Sequence, residues 1–172
     1  MAEVVGIIPA RYDSKRLPGK PLALIQDRPM IQHVYERAAR AASLQRLVVA
    51  TDDARIQQAV VSFNGEVLMT SGDHQSGTDR VAEATRQLTL SDHTIVVNIQ
   101  GDEPLLHPEM IDSLVDALKV KANVDMATLA HPGTDNDHFH DPAVVKLVLD
   151  LEGRALYFSP APIPALSEAS SA

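Results

Sequence analysis

The stretch "VVGIIPARYDSKRLPGKPL" (residues 4–22) joins two features that set the fold class. Val4 to Ile8 form a compact apolar run, the pattern of a parallel strand buried on both faces. A loop then runs to about Asp27. Four basic side chains, Arg11, Lys15, Arg16 and Lys20, fall within ten residues of it, interleaved with Gly and Pro. The chain as a whole is acidic, with a formal net charge of −8 over 172 residues. A general nucleic-acid binder tends to be basic, so nucleic acid is not an expected partner. The local basic cluster points instead to a small anion.

Working outward, strands and helices alternate. From Pro29, apolar residues recur at Ile31, Val34, Ala38 and Ala41 or Ala42, which is helical spacing. "RLVVAT" (46–51) reads as the next buried strand. Ile56, Ala59, Val60 and Phe63 mark a helix that Gly65 could end. "EVLM" (66–69) is a short strand, and Val81, Ala84 or Thr85, and Leu88 mark another helix. "TIVVNI" (94–99) is β-branched and apolar, the strongest strand signal in the chain. Pro108 opens a helix carrying Ile111, Leu114, Val115 and Leu118. "DMATLA" (125–130) predicts a further strand, and residues 131–142 a polar loop. "VVKLVLDLEGRALYF" (144–158) reads as two strands about a Glu152-Gly153 turn. The order implies an α/β fold: a mostly parallel sheet flanked by helices, with a late antiparallel hairpin.

Forty-five per cent of residues are hydrophobic, enough for one sizeable core, and the length suggests a single domain over 1–172. With no cysteine there is no disulfide framework and no thiolate chemistry. The N-terminus lacks the pattern of a signal peptide, and no stretch approaches the ~20 apolar residues of a membrane helix. A soluble, cytoplasmic protein without a membrane partner is expected. The tail "SPAPIPALSEASSA" has no periodicity and reads as a frayed end, or as a sequence that stops before its fold is complete.

In parallel α/β sheets, ligands bind beyond the carboxyl ends of the strands, where the basic loop is expected. Gly19 permits close backbone approach, and Pro9, Pro18 and Pro21 restrict the loop. Arg offers a planar fork to phosphate oxygens and Lys a compact charge. The Walker pattern is absent, because Pro21 follows Gly19-Lys20 and no Gly stands at position 14. The dinucleotide pattern G-x-G-x-x-G is absent as well. A polyphosphate site and a merely solvated basic loop both fit these residues.

The loop "IIPARYDSKRLPGKPL" resembles the signature loop of the sugar-acid cytidylyltransferases, above all the 3-deoxy-manno-octulosonate (Kdo) cytidylyltransferases. The resemblance continues through "VVATDD", "HQSGTDRVAEA", "VNIQGDEPLL", "DPAVVKLVLD" and "GRALYFS", over nearly the whole chain. It implies a nucleotide-diphospho-sugar transferase-like, Rossmann-like fold and a Mg²⁺-dependent reaction. In that reaction the anomeric hydroxyl of 3-deoxy-D-manno-octulosonate attacks the α-phosphate of CTP. CMP-Kdo forms for lipopolysaccharide synthesis, and pyrophosphate leaves. Arg11, Arg16 and Lys20 match the family's triphosphate-binding positions, with Arg11 and Lys20 also in catalytic roles. Lys15 occupies a less constrained place. A homodimer is expected for the family.

Two other constellations carry chemistry. In "HQSGTDR" (74–80), Ser76, Thr78 or Asp79 would serve as a helix N-cap. The resemblance makes the segment a cytosine and nucleotide contact, through Ser76, Gly77, Thr78 and Arg80; both roles can hold together. In "NIQGDEP" (98–104), Gly-Asp before Pro is ordinary turn chemistry. A carboxylate at a strand's carboxyl edge also suits Mg²⁺, which prefers oxygen ligands. The resemblance makes Asp102 the metal ligand and Gln100 a nucleotide contact, with Glu103 a weaker choice. His131, His138 and His140 share a loop with Asp135, Asp137 and Asp141, but in no zinc spacing, so a solvated polar loop is expected. His33 and His74 read as a helix-surface and a loop residue.

Pro160 stands where the resembled family has an Arg that helps hold the acceptor's carboxylate, and Pro offers neither charge nor N–H. Members of that family also continue past residue 172, with most of the acceptor pocket and a second metal carboxylate. The expectation is therefore a nucleotide-binding portion, incomplete at the C-terminus. The alternatives are a sialic-acid-type cytidylyltransferase and an inactive nucleotide-binding remnant.

Overall fold

The computed structural model describes residues 2–13, 17–120, 124–133 and 136–164. The chain divides into two compact units, Met1–Ala127 and Thr128–Ala172.

The first unit is a parallel sheet with helices on both faces. Strand β1 (Val4–Ala10) lies between β4 (Arg46–Thr51) and β6 (Ile95–Asn98), and β5 (Glu66–Met69) completes the order β5-β4-β1-β6. All three pairings are parallel. The apolar run of β1 is buried on both faces because alternate side chains point opposite ways. Val4 and Ile8 pack with Ile31, Val34 and Ala38 of α1 (Met30–Ala38), Ile56 and Val60 of α2 (Ala54–Ser62), and Ile111 and Val115 of α4 (Pro108–Val120). Val5 and Ile7 pack with Val81 and Ala84 of α3 (Gly77–Gln87) on the other face. Gly6 is required where β1 is most crowded: a Cβ there would lie 2.8 Å from a methyl carbon of Leu47.

The loop after β1 holds more structure than its sequence suggests. Lys20–Leu22 form one 3-10 turn. A small antiparallel ribbon pairs β2 (Leu24–Ile25) with β3 (Arg28–Pro29). Its two linking residues, Gln26 and Asp27, have φ of 48° and 62°. Two consecutive left-handed residues are what a tight two-residue hairpin needs, although neither is Gly. His33, expected on a helix surface, is half-buried, and its Nε2 lies 2.8 Å from the Ile25 carbonyl. It ties α1 to the ribbon.

In the second unit, β7 (Lys146–Leu149) pairs antiparallel with β8 (Ala155–Ser159), as the sequence predicts. The turn closes on Asp150, whose Oδ1 accepts from the backbone N–H groups of Glu152 and Arg154, with Gly153 at φ 80°. The predicted strand over 125–130 does not form. That stretch has no ladder partner among the described residues and leaves Met126 85% exposed, so its composition alone cannot make a strand. Part of the predicted polar loop is a five-residue helix, α5 (Asn136–His140), where the rings of Phe139 and His140 meet edge to face. His131, His138 and His140 are all exposed; Asp135 lies outside the described residues.

Candidate nucleotide site

The carboxyl ends of β1 and β6, and the turn between β5 and α3, wall one open cavity of about 470 Å³. Adjacent strands open their loops toward one edge because the sheet is parallel, so residues far apart in sequence converge there. Arg11, Lys20, Ser76, Gly77, Arg80, Gln100 and Asp102 all line it. Thr78 does not; it is exposed on the first turn of α3. Lys15 and Arg16 lie outside the described residues.

The basic loop is pinned at its neck. Gly19 N–H donates to the Tyr12 carbonyl at 2.8 Å, and Gly19 has φ 69°. A Cβ at Gly19 would lie 3.1 Å from the Tyr12 ring. The Arg55 guanidinium stacks on that ring, 3.3 Å from its centroid. Asp53 holds Arg55 in turn, with Arg55 Nη2 donating to Oδ2 at 2.6 Å and Nε to Oδ1 at 3.0 Å. This contact keeps the Asp53 carboxyl below its usual range. Asp53 also caps α2, accepting from Arg55 N–H. One acid thus fixes a helix end and, through Arg55 and Tyr12, the base of the loop that presents Lys20.

Lys20 meets the site's own carboxylate. Its Nζ donates to Asp102 Oδ2 at 2.6 Å, with the two side chains 31% and 47% exposed. Arg11 is exposed and makes no ion pair among the described residues. Gln100 Nε2 donates to Asn98 Oδ1 at 3.2 Å. Gly101 lets the loop after β6 close on β1: a Cβ there would lie 3.0 Å from the Pro9 carbonyl oxygen.

The far wall is built from internal bonds. Ser76 caps α3 in a full capping box: its Oγ accepts from Asp79 N–H, and the Asp79 carboxylate accepts from Ser76 N–H. Arg80 is only 3% exposed. Its guanidinium donates to Asp52 at 2.9 Å, to the Ser71 carbonyl at 3.2 Å and to Thr70 Oγ1 at 2.5 Å. Arg80 therefore braces the 70–76 turn against the end of β4, and it lines the cavity while committed to three protein acceptors. His74 is held by Glu83, whose Oε2 takes both His74 Nε2 and Ser71 N–H. Those bonds, His74 foremost, hold the Glu83 carboxyl below its usual range.

Sequence reasoning missed Tyr12, Asp52, Asp53, Arg55, His74 and Glu83 as parts of the site. Asp52 and Asp53 stand in "VVATDD" and His74 in "HQSGTDR", so the motifs flagged the places without giving the roles. No signal in the sequence pairs Arg55 with Tyr12.

The cytidylyltransferase sequence model matches residues 5–172. The chain belongs to the cytidylyltransferase family. Among its relatives, the 3-deoxy-manno-octulosonate cytidylyltransferase of Syntrophobacter fumaroxidans is 61% identical over 161 residues, covering 94% of this chain and 64% of the relative. The 8-amino-3,8-dideoxy-manno-octulosonate cytidylyltransferase of Shewanella amazonensis is 52% identical, over 92% of this chain and 65% of the relative. A solved structure of CMP:2-keto-3-deoxy-manno-octonic acid synthetase complexed with CTP superposes with a TM-score of 0.89 at 43% identity, covering 99% of this chain and 69% of the other. The chain thus spans less than two thirds of the curated relatives' length. The family's α/β nucleotidyltransferase fold matches the architecture described above. No helix among the described residues is long and apolar enough to cross a membrane.

Proposed function

We propose that this chain binds CTP by its triphosphate and takes part in CMP transfer to the anomeric hydroxyl of a 3-deoxy-octulosonate sugar. One observation carries the reading: Arg11, Lys20, Gln100 and Asp102, separated by up to 91 positions in sequence, wall a single cavity at the carboxyl edge of the sheet. The solved relative named with CTP supports the nucleotide.

In the proposed reaction the anomeric oxygen attacks the α-phosphorus, the bond to the pyrophosphate oxygen breaks, and the hydroxyl proton is lost. Arg11 and Lys20 neutralise the departing charge, and Arg16 joins them from the basic loop. Ser76 and Gly77 form the wall that faces the nucleoside, with Arg80 bracing it from beneath and Thr78 at the adjoining helix turn. Mg²⁺ fits Asp102, since this ion is commonly held by one or two carboxylates with substrate phosphates and waters. When bound it would supply charge neutralisation at the phosphates. Among the described residues no group of three acidic or histidine side chains converges, so the ion would be carried largely by the nucleotide.

Relatives named for Kdo and for its 8-amino analogue both match at 52% identity or better, so these residues report the nucleotide more sharply than the acceptor. Kdo is the acceptor we propose, and a second copy of the chain the partner, tested by light scattering. CTP titration by calorimetry with and without Mg²⁺, followed by pyrophosphate release with Kdo and sialic acid in parallel, tests the reading. CTP binding with Kdo-dependent release supports it. Release with sialic acid alone replaces the acceptor. Binding without release reduces the chain to a nucleotide-binding module, the outcome Pro160 would favour. No CTP binding overturns it.

A further inference from the structure

Arg55 stands in the first turn of α2 and Tyr12 in the loop after β1, and neither is among the described residues that wall the cavity. The guanidinium lies over the phenol ring, 3.3 Å from its centroid. A cation above an aromatic face is drawn to the negative face of the ring quadrupole. The Asp53 carboxylate takes two of the guanidinium N–H groups, so the plane is aimed rather than free to swing. The ring is held on another side as well, because Tyr12 packs against the core cluster that contains Ile31 and Ile56. Its phenol end fills the space at Gly19, where a Cβ would lie 3.1 Å from Cε2 and Cζ and 3.2 Å from the hydroxyl oxygen. The backbone bond from Gly19 N–H to the Tyr12 carbonyl joins the same two residues. Lys20 follows directly. Its own N–H donates to the Leu17 carbonyl at 3.1 Å, and Leu22 N–H donates to the Gly19 carbonyl at 2.8 Å.

We propose that Arg55 is a positioning residue for the triphosphate: stacked on Tyr12 and aimed by Asp53, it keeps the Tyr12–Gly19 neck closed and so sets where the loop presents Lys20. The inference rests on the proposed CTP reading and adds to it a residue outside the cavity on which phosphate affinity depends. A purely architectural role for Arg55 fits its surroundings poorly. Its side chain is 58% exposed, and exposed ion pairs contribute little to folding. Asp53 also caps α2 through the backbone N–H of residue 55, which any side chain there leaves in place. Lys20 depends on the neck far more. Its ammonium is a point charge on a flexible four-carbon stem, so it meets a phosphate in one geometry only if the backbone beneath it is fixed. A loop already held in its binding conformation avoids the ordering penalty when the ligand arrives.

The test combines amide exchange at Gly19, followed by NMR on the unliganded chain, with calorimetric titration of CTP and urea unfolding. The wild type, Arg55→Ala, Arg55→Lys, Tyr12→Leu and the Arg55→Ala, Tyr12→Leu double variant are compared. In Arg55→Ala, Gly19 exchange should quicken and CTP affinity should fall, each by about two- to fivefold, the scale of an exposed cation–π contact. The urea midpoint should stay near that of the wild type. Arg55→Lys, whose ammonium can still sit over the ring, should restore part of both. With Tyr12→Leu already in place, Arg55→Ala should change neither any further, whereas a plain field effect of the charge on CTP would persist there. Unchanged Gly19 exchange or unchanged CTP affinity in Arg55→Ala overturns the inference. So does a loss of affinity that persists with Tyr12→Leu, or one matched by an equal loss of stability. A wild type that binds no CTP removes the function reading itself, and Gly19 exchange then reports separately on whether Arg55 holds the loop.

Discussion

The loop after β1 and the turn after β5 leave the same edge of one sheet and wall the same cavity, yet they use charge in opposite ways. After β1, Arg11 is exposed and, among the described residues, makes no ion pair, while Lys20 pairs with Asp102, itself about half exposed. After β5, Arg80 is buried and gives its guanidinium to Asp52, Thr70 and Ser71. A cation whose acceptors all belong to the fold is committed to architecture. One whose acceptor among the described residues is itself a candidate ligand can be exchanged for a phosphate. Motif reading puts Arg80 and Lys20 in one class; burial and partner count separate them.

The sharpest way to break this contrast is Asp52→Ala. It leaves a buried guanidinium short of the charged partner it has among the described residues, a loss that typically costs about 3 kcal/mol or more. Urea unfolding should show that drop, accompanied by weaker CTP binding as the 70–76 turn loosens. A loss below about 1 kcal/mol would mean that Arg80 is not committed and that the two loops do not differ as described.

Lys20→Ala is the counterpart. An exposed pair contributes little to folding, so stability should change by no more than about 1 kcal/mol. CTP affinity should fall about tenfold to a hundredfold, equivalent to about 1.5–3 kcal/mol for a charge-assisted contact. A Lys20 variant that unfolds easily but binds CTP normally would reverse the assignment.

Asp102→Asn sharpens the same point. In the unliganded site Asp102 occupies Lys20 and would repel a triphosphate. Removing its charge frees Lys20, so CTP affinity without Mg²⁺ should rise, by about two- to fivefold if the pair has the strength usual for exposed ion pairs. The gain from Mg²⁺ should shrink at the same time. If metal strengthens binding equally in mutant and wild type, Asp102 is not the ligand.

The sheet was legible because its central strands, β1 and β4, are apolar runs buried on both faces and each flanking helix carries its own periodicity. Val4–Ile8, "RLVVAT" and "EVLM" needed no partner information. The stretch 125–130 shows the limit: its pattern was strand-like, but a strand exists only where another lies beside it. The ribbon at 24–29 was hidden because Gln26 and Asp27 adopt left-handed conformations without the Asn-Gly signal. Within the site, the charged residues that face the cavity were visible as motifs. The residues that hold them, Asp52, Asp53, Arg55 and Glu83, were not, since side-chain pairing across 28 positions, as between Asp52 and Arg80, leaves no local periodicity.

The smallest expected effect concerns acid. Glu83 titrates below its ordinary value of 4.5 because the His74 ring N–H, and then the Ser71 backbone N–H, favour the anion. In the unfolded chain those donors are gone and the ordinary value returns. Its contribution to stability is therefore fully present above about pH 4.5 and is lost as pH falls through the depressed folded value. Asp53 and Asp112 are also depressed, the first by Arg55 and the second by Ser43, so stability should fall in acid whichever residue stands at position 83. The comparison that isolates Glu83 is the gap between the wild type and Glu83→Gln, measured by urea unfolding at pH 7, 4.5 and 3. At pH 7 the wild type should be the more stable, because its carboxylate accepts three charge-assisted bonds and the amide offers only one oxygen. The gap should narrow steadily below pH 4.5. A gap that stays constant down to pH 3 would show that the turn after β5 is held by shape rather than by charge, and the contrast with the loop after β1 would then rest on Arg80 alone.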